Sequence, residues 1–210
     1  VIDLEDPQFL FDKNHPKIHF IKANLADLDL EKAVEIFAPI DAVVHAAYLI
    51  RTPYFSKALQ FQKHSNFVGA QNAFKYALRE SLPKLIHFSS VAAYGANLEN
   101  SLKRPFKEED ELREIRINSG LDKKIIERDL EEMASRYRPP TEVFVLRVGS
   151  VSGPFGRYAV KKRGLLSFFR GLLPFIPITG RSSARQFVHE DDVIQAVNYC
   201  LLNSFDLKYN

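Results

Sequence analysis

The segment Asp41-Ala-Val-Val-His-Ala-Ala47 gives the first indication of the fold. An acidic residue leads into a short apolar run, which ends in a histidine and two alanines. A short run that does not alternate with polar residues is typical of a parallel strand buried on both faces. Small residues at the carboxyl end of such a strand let a ligand lie against the backbone, where doubly wound sheets bind ligands. We therefore expect an α/β fold with a ligand groove at this edge.

Comparable apolar runs alternate with segments of helical period along the chain. The predicted strands are Val1–Leu4, Ile18–Ile21, Ala42–Ala46, Leu85–Ser89 and Val143–Val148. The predicted helices are Leu30–Phe37, Tyr54–Glu80, Asp122–Tyr137 and Glu190–Leu202. Strands that alternate with helices are joined by right-handed crossovers, so this order predicts a doubly wound parallel sheet of the α/β class.

The composition of the sequence changes near residue 150. Residues 1–150 carry the alternation, whereas residues 151–210 contain several prolines, glycines and basic residues before a final helix. That helix opens with Glu190, Asp191 and Asp192, which suit the positive end of a helix dipole. We predict a main domain over 1–150 and a small C-terminal lobe over 151–210, whose last helix returns to the core.

Composition and charge exclude several classes of protein. The 29 Lys and Arg against 26 Asp and Glu leave a net charge of +3, too weak a field for general nucleic-acid binding. No apolar stretch approaches the roughly 20 residues of a membrane span. The single cysteine, Cys200, permits no internal disulfide, which favours a cytoplasmic location. Because Val1–Leu4 already reads as a strand without an initiating methionine, we expect an interior piece of a longer protein.

Three further motifs follow Asp41–Ala47 in a fixed order. They are Asn66-Phe-Val-Gly-Ala70, Phe88-Ser-Ser-Val-Ala-Ala-Tyr-Gly95 and Leu146-Arg-Val-Gly-Ser-Val-Ser-Gly-Pro154, the last followed by Arg185-Gln-Phe-Val-His-Glu-Asp-Asp192. The ordered set resembles the extended short-chain dehydrogenase/reductase family, the NAD-dependent sugar epimerases and dehydratases. The resemblance covers essentially the whole chain. It implies a Rossmann-like domain, a nicotinamide cofactor and a small-molecule substrate such as a nucleotide-sugar.

The resemblance assigns cofactor contacts to residues at the strand ends. Asp3 would accept hydrogen bonds from the adenosine ribose, which favours NAD while leaving NADP open. The other cofactor-binding candidates are Asn24, Leu25, His45, Ala46, Ala47, Asn66, Lys123 and Arg147. The family opens with a strand, a glycine-rich turn and a helix that bind the pyrophosphate, a unit of roughly 30 residues. We find no counterpart of this unit before Asp3, so the predicted Rossmann-like domain is incomplete.

The resemblance also assigns the catalytic residues. Ser90 matches the hydroxyl that bonds the substrate oxygen, with Tyr94 and Arg185 as further substrate-binding candidates. In the family a Tyr-x-x-x-Lys pair moves the proton, because the lysine cation lowers the pKa of the phenol. Lys123 matches the lysine, but Ser119 stands in place of the tyrosine. An aliphatic hydroxyl is a far weaker acid than a phenol and is shorter.

Two tyrosines could replace the missing phenol, and two functions stay open. Tyr94 follows the strand that ends near Ser90, and Tyr48 follows Ala47. The resemblance implies an NAD(P)-dependent epimerase, dehydratase or reductase. The alternative, which Ser119 favours, is a non-catalytic member of the family that binds a nucleotide or a partner protein.

Two further expectations concern metal and assembly. His189 precedes Glu190, Asp191 and Asp192, yet adjacent helical positions do not converge on one ion, so we predict no metal site. The helices Tyr54–Glu80 and Asp122–Tyr137 match those through which family members dimerise. The resemblance therefore implies a homodimer.

Overall fold

The computed structural model describes residues 1–5, 15–50, 56–95, 101, 103–153 and 186–205. The strands are β1 (Ile2–Asp3), β2 (Ile21–Lys22), β3 (Ala42–His45), β4 (Lys84–Ser90), β5 (Glu142–Val148), β6 (Ser150–Ser152) and β7 (Phe187–His189). The α-helices are α1 (Leu30–Val34), α2 (Ser56–Arg79), α3 (Asn118–Tyr137) and α4 (Glu190–Leu202). Short 3-10 helices cover Glu35–Phe37 and Val91–Tyr94.

The described strands form three parallel-paired sheets. In the first, β1 pairs with β2, and Ile2 lies opposite Ile21. In the second, β4 lies between β3 and β5, and β3 runs parallel to β4 with His45 opposite His87. In the third, β6 pairs in parallel with β7. This arrangement confirms the predicted α/β class with parallel strand pairing.

Two predicted boundaries, at β2 and at α3, were wrong. The strand expected at Ile18–Ile21 is β2, which begins only at Ile21, because the Ile18 amide donates to the His15 carbonyl in a turn. The helix expected from Asp122 is α3, which begins at Asn118. Glycine disfavours a helix interior, and Gly120 therefore hid the first turn of α3 from sequence reasoning.

The chain folds as two compact units. The first comprises Val1–Phe88, Ile125–Val145 and Phe205–Asn210, and the second comprises Ser89–Lys124 and Leu146–Ser204. The predicted domain boundary near residue 150 stays a prediction, because residues 154–185 of the predicted lobe lie outside the described part of the chain. In the last helix of that lobe, α4, Cys200 is buried.

The core of the first unit lies between α2, α3 and β4. One face of α2 is fully buried and meets Leu85 of β4 and two apolar residues of α3. These core residues are Ala70, Ala73, Phe74, Ala77, Leu78, Leu85, Ile126 and Leu130. Three of them, Ala70, Phe74 and Ala77, belong to the helical-period pattern of apolar residues that predicted this helix.

A nearly buried ion pair ties the first unit together beyond this core. Lys84 Nζ lies 3.3 Å from Glu142 Oε2, and both side chains are at most 15% exposed. Glu142 also accepts a hydrogen bond from the Phe205 amide. Within the described part of the chain, no helix is both long and apolar enough to cross a membrane.

Candidate functional site

In the first unit, β3 ends in a buried histidine followed by two exposed alanines. His45 is 4% exposed, and its Nδ1 lies 3.0 Å from Nδ1 of His87 on β4. One Nδ1 must carry the proton that the other accepts. The Phe74 ring meets both imidazoles edge-on. His45 is therefore packed at the end of the strand. Ala46 and Ala47 are exposed and have small side chains, so the backbone beyond His45 is accessible to a ligand.

Asn66 fixes the backbone that follows this strand end. It lies on α2 and is 3% exposed. Its carboxamide oxygen accepts from the Leu49 amide at 2.7 Å, and its nitrogen donates to the Leu49 carbonyl at 3.0 Å. A single amide group thus satisfies both backbone groups of Leu49. Asn66 thus holds the backbone four residues beyond the end of β3, and its assignment to the cofactor stays a prediction.

The segment containing Asn24 and Leu25 is held against α2. Asn24 Nδ2 donates to Asp27 Oδ2 at 2.7 Å and to Ser65 Oγ at 3.2 Å. The Leu25 carbonyl accepts from Asn72 of α2. A hydrogen bond from His64 lowers the pKa of Asp27. Asn24 therefore has a clear structural task, whatever it contacts in a ligand.

Asp3 and Tyr48 complete the first-unit candidates. Asp3 ends β1, is exposed, and accepts from the Glu5 amide through Oδ1. Tyr48 is half-buried and packs against the core of the first unit. Asp3 thus presents a carboxylate at a strand end, as the sequence predicted.

In the second unit, Ser90 closes β4 and caps a short turn. Its Oγ accepts from the Ala92 amide at 3.2 Å, which begins the 3-10 helix Val91–Tyr94. Gly95 then closes the turn with φ at +80°, a conformation that favours glycine. A serine that accepts through its oxygen still has its own proton to donate. Ser90 therefore has the chemistry to bond a substrate oxygen.

Tyr94 and Arg147 contact each other. Arg147 Nη1 donates to Tyr94 Oη at 2.7 Å and to the Glu108 carbonyl at 2.8 Å. The Tyr94 ring is 5% exposed and stacks on Phe106 with ring centres 4.7 Å apart. Two residues that the sequence assigned to substrate and cofactor are thus bonded to one another.

Ser119 and Lys123 lie in the first turns of α3. Residues four apart share one face of a helix. Ser119 is half-buried and Lys123 is 7% exposed. A Cβ added at Gly120 would lie 2.5 Å from the Ala92 carbonyl oxygen, so this turn of α3 packs directly on the turn after Ser90. The structure brings the Ser90 turn and the Ser119 turn together, with serine at the tyrosine position.

Glu114 is an important residue that sequence reasoning missed. It is 4% exposed, and its Oε1 accepts from the amides of Ile115, Arg116 and Ile117, immediately before α3. These bonds, led by the one from Arg116, hold the pKa of Glu114 below its ordinary value. Its own amide donates to the Ala93 carbonyl. Helix-capping patterns favour Ser, Thr, Asp and Asn, so no familiar signal marked this glutamate.

We expect Glu114→Gln to lower the free energy of unfolding at neutral pH by about 1–3 kcal/mol, since bonds to a charged acceptor are the stronger ones. Because folding lowers this pKa, the contribution is complete above the ordinary glutamate range, about pH 4.3. It is lost as the pH falls through the lower pKa of the folded state. Urea unfolding at several pH values should show the deficit shrinking as the pH falls below the ordinary glutamate range. The exposed Glu109→Gln is the control, and a deficit independent of pH would contradict the assignment.

Two remaining predictions concern the C-terminal part of the chain. Arg185 lies outside the described residues. His189 caps α4, and its Nδ1 accepts from the Asp191 amide at 3.3 Å. This contact and the acidic first turn account for the cluster as a helix start. Among the residues that the structure describes, no group of three His, Cys, Asp or Glu could hold a metal ion.

Comparisons with solved structures show the same fold in nucleotide-sugar enzymes. MoeE5, solved with UDP-glucuronic acid and NAD, is 22% identical with a TM-score of 0.71, and the match covers 98% of this chain and 64% of that one. UDP-N-acetylglucosamine 4-epimerase from Methanobrevibacter ruminantium M1, solved with UDP-N-acetylmuramic acid, is 24% identical with a TM-score of 0.72. That match covers 93% of this chain and 61% of the epimerase.

A third solved structure and a family model complete the comparisons. UDP-glucuronic acid 4-epimerase from Bacillus cereus, solved with NAD, is 22% identical with a TM-score of 0.73, and the match covers 93% of this chain and 60% of that one. The chain thus spans less than two thirds of the length of these structures. Comparison with curated protein sequences found no match. The model of the NAD dependent epimerase/dehydratase family matches residues 4–209, and the chain therefore belongs to that family.

Proposed function

We propose that the protein binds NAD and acts on a nucleotide-sugar by reversible hydride transfer, as an epimerase or dehydratase. One observation carries the proposal: the helical turn that bears Lys123 packs on the turn that bears Ser90, through Gly120 and Ala92. The resemblance implies catalytic roles for Ser90 and Lys123, so this contact between their turns supports the proposal. The family match and the ligands named for the similar structures support the same function.

The described residues fit a dinucleotide in their chemistry. Asp3 offers an exposed carboxylate for ribose hydroxyls, and Ala46 and Ala47 offer open backbone. Lys123 offers a buried cation to hold the nicotinamide ribose. NAD, when bound, would accept a hydride from a sugar carbon and return it. We propose that Asn24, Leu25, His45 and Asn66 shape the adenosine and strand-end side, and that Arg185 contacts the substrate diphosphate.

This chain differs from the family pattern at the residue that transfers the proton, where Ser119 replaces tyrosine. Ser90 donates to the reacting oxygen of the substrate, which orients it and offsets its developing charge. Ser119 is too weak an acid to exchange that proton, so the reaction needs another carrier or is slow. The serine supports a second candidate function, a non-catalytic family member that binds the nucleotide without turnover.

Calorimetric titration of the protein with NAD, then with UDP-glucose, tests the proposal. We expect Lys123→Gln to weaken NAD binding about tenfold or more, because it removes a charged donor. Lys124→Gln, at the next position, is the matched control and should bind NAD normally. Binding of both ligands without epimerisation, followed by chromatography of the UDP-sugars, would favour the second function. Absence of NAD binding by the wild type would contradict both dinucleotide roles.

We also propose that the protein is a cytoplasmic homodimer that associates through α2 and α3. Phe61 on α2 and Ile125 on α3 are 39% and 37% exposed, so a dimer through these helices would remove their apolar surface from water. The single cysteine suits a reducing compartment. Sedimentation velocity at micromolar concentration should give a dimer, and Phe61→Asp should shift it to the monomer. A wild-type monomer would contradict the assembly.

A further inference from the structure

We propose that Arg147 and Tyr94 form a clamp that positions Ser90, and that neither acts as the proton carrier or a cofactor ligand. The inference rests on the proposed function, because it gives both residues a task in that reaction. Sequence reasoning assigned Arg147 to the cofactor and Tyr94 to substrate or acid chemistry. Their mutual contact in the second unit points to a different task.

The contacts of the clamp run between three parts of the second unit. Arg147 stands near the end of β5, and its Nη1 reaches both Tyr94 Oη and the Glu108 carbonyl. The guanidinium carbon lies 5.1 Å from the centre of the Tyr94 ring, so the cation also faces the aromatic group. Phe106 stacks on the same ring in near-parallel orientation, at 11°. The phenol is therefore held by a charge-assisted hydrogen bond and by packing.

The burial of Tyr94 argues against proton transfer to a substrate. A general acid must reach the reacting atom directly or through one water. Tyr94 is only 5% exposed, and its oxygen already accepts from Arg147. The guanidinium in turn shares its Nη1 with Glu108. The Tyr94 oxygen therefore has a protein partner, and its ring leaves little surface for a substrate to reach.

The clamp acts on Ser90 through one short turn. Tyr94 is the last residue of the 3-10 helix Val91–Tyr94, and Ser90 caps the first. Ser90 Oγ accepts from the Ala92 amide, and the Ala92 carbonyl accepts from the Gly95 amide. Fixing Tyr94 therefore fixes the amide that orients the Ser90 hydroxyl. A misplacement of about 1 Å in such a group costs about a hundredfold in rate.

A double-mutant cycle measured with NAD and UDP-glucose tests this role. We expect Tyr94→Phe to lower kcat about tenfold with KM changed less than about twofold, and Ser90→Ala to lower kcat about a hundredfold. Because Tyr94 acts through Ser90, the double variant should be no slower than Ser90→Ala by more than about twofold. If the kcat losses of the two single variants multiply in the double variant, the two residues act independently, and the clamp is overturned. Arg147→Lys should retain more activity than Arg147→Ala, and exposed Arg79→Ala should match the wild type.

Hydrogen exchange supplies a readout that needs no turnover. Exchange of the Ala92 and Gly95 amides reports local opening of the turn. Tyr94→Phe removes one oxygen, and we expect it to speed exchange at these amides about tenfold with Tm unchanged. Unchanged exchange would overturn the clamp. A wild type that neither binds NAD nor converts UDP-glucose would overturn the proposed function instead. The exchange result would then still show whether Tyr94 holds the turn after Ser90.

Discussion

Ser119→Tyr should raise the rate of UDP-sugar conversion about a hundredfold to ten-thousandfold, the usual contribution of a well-placed proton carrier. Position 119 lies one helical turn before the buried Lys123, on the same face of α3. A phenol there would have its pKa lowered by the nearby ammonium, which an aliphatic hydroxyl cannot exploit. The measurement is the initial rate of UDP-glucose epimerisation in saturating NAD.

Two matched variants separate chemistry from packing at this position. Ser119→Phe adds the same ring without its hydroxyl and should give no increase. Lys123→Met in the Ser119→Tyr background should remove most of the increase, because the phenol then loses its cation. An equal gain with phenylalanine, or no gain in a protein that binds NAD, would contradict the assignment of Ser119 to the tyrosine position. The latter result would favour the non-catalytic function.

Phe74→Ala should lower the free energy of unfolding by about 3–5 kcal/mol, the usual cost of a large aromatic deletion in a core. Phe74 is 0% exposed, and its ring meets both His45 and His87 edge-on. Its removal would leave a cavity beside two buried imidazoles that share one proton between their Nδ1 atoms. Equilibrium unfolding in urea measures the change.

The control for this prediction lies on the same helix. Phe61 of α2 is 39% exposed, and Phe61→Ala should cost less than about 1 kcal/mol because little buried volume is lost. Phe74→Leu should fall between the wild type and Phe74→Ala, since it retains part of the volume. Similar losses for Phe61→Ala and Phe74→Ala would show that Phe74 is not a core anchor. Stability should be compared at a protein concentration low enough to keep every variant monomeric, because Phe61 belongs to the proposed dimer face.

The strands and helices could be predicted from the sequence because the patterns that indicate them are local. Apolar runs predicted β3, β4 and β5 to within one residue at each end, and helical periodicity predicted α2 and α4. The misplaced boundaries had tertiary causes. The register of β2 is set by pairing with Ile2 and Asp3. The first turn of α3 contains a glycine that is tolerated because the Ala92 carbonyl leaves no room for a side chain.

For the candidate site, the sequence identified the residues but not the contacts that they make. Ser90, Ser119 and Lys123 were identified from motif spacing, and their elements do lie together. The structural role of Glu114 could not be predicted, because a glutamate that accepts hydrogen bonds from three successive amides follows no known capping pattern. The bond between Arg147 and Tyr94 joins residues far apart in sequence. No local pattern encodes such a pair.

The α/β class, the succession of strands and helices along the chain, the family and the serine at the tyrosine position were evident from the amino-acid sequence. Each of these depends on residue type and short-range spacing, which the chain displays directly. Which polar side chains bond to other protein groups, and which can bond to a substrate, became evident from the three-dimensional structure. That distinction depends on burial and on partners brought together from distant segments, as when Arg147 takes up the oxygen of Tyr94 and leaves the proton of Ser90 to a substrate.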